Sequence, residues 1–401
     1  MRREKFLINL FKKYYKVAPL HPPTELTSRE FGFTFFSGGG MLRHMSFPNF
    51  EELKSFLRNK VPSNVYYSTA YYQDPSLESM EEKGWLGADL VFDIDADHLP
   101  VKGGEGSSSW QCMSCRKGGV GEAPSQCPYC GSKEVKEVKW MSMVHLRAAI
   151  EECEKLVDVL LEDFGFADRE VKIYFSGHRG FHIHVECEEV KRLSQEARRE
   201  IVDYLECVGI EVSPLGPYKK FMDLNSPGWM GRITRGIYDV IASATEELLS
   251  SIRIPKHSRE RILSMREEIL RSLEAHPTDW DSILRVSRAG VERITGYVIE
   301  AIKCRIDERV TIDTHRLIRF PYSLHGKTGL IVKELKTSEL DDFDPLEDAT
   351  PFRDGRLKVR LEIPVPKEVM GRDVERKGHV ADVGYPLAIY LIANGGAEPL
   401  E

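Results

Sequence analysis

Apolar residues recur at helical spacing near the start of the chain: Phe6, Leu7, Leu10, Phe11 and Tyr14 predict a helix over residues 4–17. The period then changes. Two apolar runs, 31–36 and 41–47, flank Ser37-Gly38-Gly39-Gly40 and predict a β-hairpin. Residues 50–59 pattern as a helix, 65–72 as an aromatic strand, and 88–95 as a strand ending Val91-Phe92-Asp93-Ile94-Asp95. Residues 101–139 break this character with Gly, Ser, Lys and clustered Cys. Ser142 suits the N-cap of an amphipathic helix that runs to about Phe164 and is closed by Gly165. Residues 171–176 and 181–186 read as strands joined by a Gly-rich turn, and 193–208 as a helix. Residues 230–300 carry charged amphipathic runs, such as 259–273, and no strand signal. Strand character returns at 305–307. A short helical turn is predicted at 313–319, followed by apolar runs up to Val332, a strand at 358–363 and a helix near 385–394.

Strands that arrive in pairs, not in strict β-α alternation, predict an α+β fold with a mixed, largely antiparallel sheet. The expected division is a core of 1–100, 140–229 and 301–401, an inserted element at 101–139, and a helical insertion at 230–300.

Composition changes this picture in three ways. At 41% apolar residues the chain can bury a sizeable core, yet no apolar run approaches the roughly 20 residues of a membrane span. Lys12 and Lys13 interrupt the first apolar stretch before it reaches signal-peptide length, so a soluble, cytoplasmic chain is expected. The net charge of -7 excludes a globally basic nucleic-acid binder, and any such contact must come from a local cationic patch. Of eight cysteines, Cys153, Cys187, Cys207 and Cys304 are scattered in apolar surroundings, as expected of thiols in a reducing compartment. Cys112-x-x-Cys115 and Cys127-x-x-Cys130 are two knuckles across a Gly/Pro-rich loop, a spacing that suits a closed structural Zn²⁺ site.

Asp93 and Asp95 leave the same face of a strand, because side chains at i and i+2 do so. Two carboxylates held side by side repel, and a hard divalent cation such as Mg²⁺ or Mn²⁺ relieves that repulsion. A solvated strand end is the alternative. Asp97 and His98 lie just beyond. Ser176-Gly177-His178-Arg179-Gly180-Phe181-His182 forms a turn whose glycines let backbone amides face an anion, with Ser, Arg and His as further donors. A hairpin with solvent-facing histidines is the alternative there. Asp307 and Asp313 compete as a third carboxylate. Asp307 is preferred as the end of a short strand, whereas Asp313 suits an N-cap. Arg319, His325 and Lys327 follow as candidate triphosphate contacts.

Taken in order, Val91–Asp95, residues 174–182 and residues 319–327 resemble the small catalytic subunit of archaeal and eukaryotic replicative primases. Arg29-Glu30-Phe31, Arg43 and the cysteine insert after the first motif are also similar. The resemblance spans about residues 1–335 and implies the primase fold, with Mg²⁺ or Mn²⁺ held by Asp93, Asp95 and Asp307. Ser176, Arg179, His182, Arg319 and His325 would grip the nucleotide's phosphates, and Arg43 joins that set. His178 stands where some relatives carry a second Arg, which puts its phosphate role in question. The implied activity is template-directed primer synthesis, RNA and also DNA, by a nucleoid-associated enzyme. The implied partners are single-stranded DNA, nucleoside triphosphates and a separate large subunit. Three other readings compete: a repair-type primase-polymerase, a non-catalytic zinc-ribbon nucleic-acid-binding protein, and a metal-dependent phosphoesterase. Template-dependent incorporation of labelled nucleotides separates a polymerase from the last two.

Overall fold

Aromatic packing builds the first sheet. Phe31–Thr34 and Leu42–Met45 form the expected hairpin. Phe31 and Phe33 meet Phe47 at 5.4 and 6.1 Å, and Phe33 meets Phe56 of helix Phe50–Lys60 at 4.6 Å. That helix starts where predicted because the Asn49 side chain accepts the Glu52 N–H. Helix Arg2–Val17 buries Leu7, Leu10, Phe11, Tyr14 and Tyr15. The computed structural model describes residues 2–101, 108–209 and 212–400; residues 102–107 of the expected insert and the side chain of His98 lie outside the described residues.

The run 65–72 is two strands. Asn64–Ser68 pairs with Phe31–Thr34 on one side and Leu317–Arg319 on the other, giving a four-stranded antiparallel sheet. Ala70–Tyr72 leaves that sheet and pairs with Trp85–Ala88. The run 88–95 is likewise broken at Asp89, and Leu90–Asp95 joins a second antiparallel sheet. Its order is Lys333–Leu335, Val171–Phe175, Gly180–Val185, Leu90–Asp95. One buried ion pair sits at both breaks. Arg29, 1% exposed, places Nη2 2.7 Å from Asp89 Oδ2. Its Nη1 donates to the carbonyls of Ser68 and Thr69, and its guanidinium lies 3.7 Å from the Tyr71 ring centroid. Tyr71 Oη donates to Asp89 Oδ1 at 2.6 Å. Arg198 donates to the carbonyls of Ala88 and Asp89. The backbone groups freed where the strands part are thus satisfied by side chains.

The architecture is therefore mixed α+β with antiparallel sheets, as paired strands predict. Two compact units emerge: residues 1–153, 169–198 and 306–401 in one, 154–168 and 199–305 in the other. The helical unit thus begins well before the expected border at 230. Five of its helices, from Gly228–Ala242 to Trp280–Ile302, enclose a core that includes Trp229, Ile233, Ile237, Leu273, Trp280 and Ile294. In the first unit, Arg356–Leu361 pairs with Val380–Gly384 and Ala397–Pro399, beside the buried helix Tyr385–Ala393. The insert is a three-stranded sheet of Ser108–Cys112, Gly118–Val120 and Val135–Lys139. Among the described residues no helix is long and apolar enough to cross a membrane.

Replacing Asp89 by Ala leaves the Arg29 charge buried without its counter-ion. The expected cost is about 3–5 kcal/mol of unfolding free energy, measured by urea titration; a loss below about 1 kcal/mol would mean the pair does not hold the strand breaks.

Candidate active site

Burial along Leu90–Asp95 alternates at its end. Leu90, Val91, Phe92 and Ile94 are buried, while Asp93 and Asp95 are partly open on the other face. Strand Gly180–Val185 runs beside it, with His182 opposite Asp93 and Gly180 opposite Asp95. Any side chain at Gly180 would put its Cβ 1.9 Å from the Ile94 carbonyl oxygen, so this close approach requires glycine. His182 Nε2 lies 3.5 Å from Asp93 Oδ1.

Asp307 arrives by a different route from the one expected. Residues 305–307 form no strand. Asp307 is the N-cap of helix Glu308–Ile312, its Oδ1 accepting the Arg309 N–H at 3.0 Å. Its own N–H donates to the Asp93 carbonyl at 2.8 Å, and this places it beside the strand end. Asp313 closes the other end of the same helix and accepts the His315 N–H. The predicted helical turn at 313–319 is instead a turn leading into strand Leu317–Arg319. Asp95 also has one oxygen committed, accepting the Asp97 N–H at 3.0 Å.

These carboxylates feel one another. Burial first, then Asp95 and Asp307, raise the Asp93 pKa to about 7, against the opposing pull of Arg316 and Arg319. Arg319 is held by Asn64 Oδ1 at 3.1 Å and Tyr66 Oη at 3.3 Å, with its guanidinium 5.3 Å from the Tyr66 ring centroid. Asn64, Tyr66 and Arg316 escaped the sequence reading. Asn64 lay just before the run read as an aromatic strand, Tyr66 within it, and Arg316 in the stretch read as a helical turn.

The 176–182 turn is closed by Ser176, whose Oγ accepts the N–H groups of His178 and Gly180 at 3.3 Å. Gly177 has φ of 76°, and a Cβ there would sit 2.9 Å from His325 Cβ. This close approach lets the His178 ring stack on His325 at 4.8 Å and 16°. Thr328 Oγ1 donates to the Gly177 carbonyl and locks the two segments together. Burial, followed by the nearby cations Arg179, Arg319 and Lys327, lowers His178 to about 3. Burial also lowers His182 and His325 well below the ordinary imidazole range. All three are neutral at pH 7, so the positive charge here belongs to Arg316, Arg319 and the exposed Lys327.

Two expected contacts are otherwise engaged. Arg179 donates from Nη1 to Asp97 Oδ2 and from Nη2 to the Lys139 carbonyl, both at 2.6 Å. Its Nε is buried without a partner. Arg43 lies on strand Leu42–Met45 and pairs with Glu30 at 3.0 Å, and Glu30 is also bound by the buried Lys83 at 2.7 Å.

Beyond the insert's strands, Cys112, Cys115, Cys127 and Cys130 bring their sulfurs within 4.8 Å of one another, a group able to hold a metal ion. Among the described residues no carboxylate or histidine set closes so tightly. The Cys115 N–H points to Cys112 Sγ at 3.5 Å, as in a knuckle.

Residues 92–337, more than half of the chain, match the family model of the DNA primase small subunit. The chain belongs to the DNA primase small-subunit family. It is 35% identical to the DNA primase small subunit PriS of Methanothrix thermoacetophila, over 97% of this chain and 96% of that one. With the PriS of Pyrobaculum calidifontis the identity is 37%, covering 95% of each. With that of Thermoplasma acidophilum it is 32%, covering 98% and 99%. The match to the family therefore takes in the four-cysteine insert, the helical unit and the C-terminal sheet as well as the three motifs.

Neutral buried histidines make this primase-family chain acid-sensitive. His184 is 1% exposed, with its pKa lowered to about 3 by burial. Between the unfolded value of about 6.5 and that figure the unfolded chain binds the proton and the fold does not, so stability falls as pH falls. Asp93 and Asp89, both raised, act in the opposite sense, but His178, His182, His184 and His325 outnumber them. The urea midpoint is expected to drop between pH 6.5 and 4, with His184 contributing about 1.4 kcal/mol per pH unit. A flat profile across that window would contradict the buried neutral state.

Proposed function

We propose that this chain, as a primase catalytic subunit, makes short RNA primers, and also DNA, on single-stranded DNA by two-metal nucleotidyl transfer. The observation that carries the reading is the meeting of Asp93, Asp95 and Asp307 beside a wall of arginine and neutral histidine. A carboxylate lifted to about 7 is short of positive charge, and three carboxylate groups are the hard oxygen donors that Mg²⁺ or Mn²⁺ favour. Asp93, Asp95 and Asp307 would hold two such ions, which would supply Lewis acidity toward the attacking 3′-hydroxyl and the transferred phosphoryl group.

The chain's own residues do the rest. Arg319, held by Asn64 and Tyr66, offers a fixed fork to the triphosphate, and Arg316 and Lys327 add charge for the departing pyrophosphate. His178, His182 and His325 supply N–H donors without adding charge, and so do not compete with the metals for the carboxylates. Ser176 shapes the turn that presents them. Arg179 acts by tying this turn to Asp97 and to the end of the insert.

The four thiols fit zinc. A tetrahedron with bonds of about 2.3 Å has edges of roughly 3.8 Å, and the Cys112–Cys130 and Cys115–Cys127 sulfurs stand 3.6 Å apart. Zinc would staple the 101–139 insert with no open coordination position for chemistry. In this reading the first unit is the catalytic core of the archaeal–eukaryotic primase fold and the helical unit an accessory. A large subunit helps to hold the initiating nucleotide.

Asp95→Asn is expected to reduce template-directed incorporation of labelled nucleotides at least about a hundredfold, as loss of a group serving transition-state charge does. The urea midpoint should stay near that of the wild type, and near-normal incorporation would remove Asp95 from the metal set. Cys115→Ser is expected to lose bound zinc, read by atomic absorption, and to lower the melting midpoint; undiminished zinc would rule out the four-thiolate site.

A further inference from the structure

The five tryptophans divide by exposure. Trp110, Trp140, Trp229 and Trp280 are at most 8% exposed, whereas Trp85 is 37% exposed. An indole left open to water forgoes the burial that the other four achieve. Trp85 is nevertheless held from one side. Its Nε1 donates to the Thr314 carbonyl at 3.3 Å, and its ring meets His315 edge-on at 6.5 Å and 62°. Behind it, Tyr72, its cross-strand partner, stacks on His315 at 6.0 Å and 12° and shares a 3.0 Å hydrogen bond with His315 Nδ1.

The segment that holds Trp85 continues directly into the candidate site. Arg316 follows His315 and acts on both Asp93 and His182, and its carbonyl accepts the Thr69 N–H at 2.8 Å. Among the described residues no carboxylate pairs with the Arg316 guanidinium. The Lys83–Glu30–Arg43 cluster starts two residues before Trp85 on the same hairpin, and Arg43 is 39% exposed.

We infer that Trp85 is a stacking platform for a base of the single-stranded DNA template, beside the catalytic carboxylates. The inference rests on the primase reading above. A ring presented alone would serve a protein partner equally well. A fixed aromatic face close to arginine is the combination that tracks a polyanion and stacks its bases without sequence preference. Polymerisation moves the template past the site one base at a time, and a sequence-tolerant contact suits that movement.

Because the other four tryptophans are buried, contact quenching by a stacked base falls on Trp85, while their emission persists as background. The experiment titrates the full chain with a labelled single-stranded oligodeoxynucleotide, following label anisotropy and tryptophan emission together. The expected result is binding accompanied by quenching. Trp85→Phe should abolish the quenching and keep affinity within about twofold. Trp85→Ala should weaken binding roughly tenfold, with the KM for nucleoside triphosphate unchanged. Binding without any change in wild-type emission overturns the inference and leaves the primase reading intact. Quenching by the large subunit but not by the oligonucleotide overturns it in favour of a protein surface. Absence of both binding and primer synthesis overturns both readings.

Discussion

The carboxylate of Asp93 is the group around which the site is built. It sits at the end of a core strand with two further acids close by, and no carboxylate remains ionised there without compensation. Two arginines, Arg316 and Arg319, supply part of it, and both are carried by the first sheet's edge strand or the turn before it. The strand bearing Asp93 belongs to the second sheet. At the site the second sheet supplies Asp93 and Asp95, and the first supplies Arg319.

The balance left over explains the neutral histidines. Adding protons to His178, His182 and His325 would place several cations in a crowded, water-poor wall, and burial prevents it. The wall therefore keeps its donors and limits its charge to guanidinium and ammonium groups. The carboxylates around Asp93 leave a surplus of negative charge, which lifts Asp93 and which a proton or an added cation can meet.

Rigidity comes from further out. The Arg29–Asp89 pair holds the points where two strands leave one sheet for another, and Arg198 caps the carbonyls exposed at the second of these points. Arg179 links the 176–182 turn to Lys139 at the end of the insert. A metal that orders the insert would therefore also steady Arg179, although the thiols and the carboxylates belong to different elements.

Much of this was legible along the chain. The i,i+2 spacing of Asp93 and Asp95, the Gly-bounded turn at 176–182 and the paired Cys-x-x-Cys knuckles are local patterns, and local geometry follows from local sequence. The paired strands announced the antiparallel α+β class for the same reason. Tertiary structure decided what no local pattern encodes. It broke the runs 65–72 and 88–95 at Thr69 and Asp89, where buried Arg29 and Arg198 satisfy backbone carbonyls that a continuous strand would have paired. It made Asp307 a helix cap tethered to Asp93 by a single backbone hydrogen bond. It recruited Asn64, Tyr66 and Arg316, and it committed Arg43 and Arg179 to carboxylates. The physical reason is range. Periodicity and spacing report on neighbours a few residues apart, whereas the charge a site must balance is set by groups more than 200 residues apart that meet only when the sheets form.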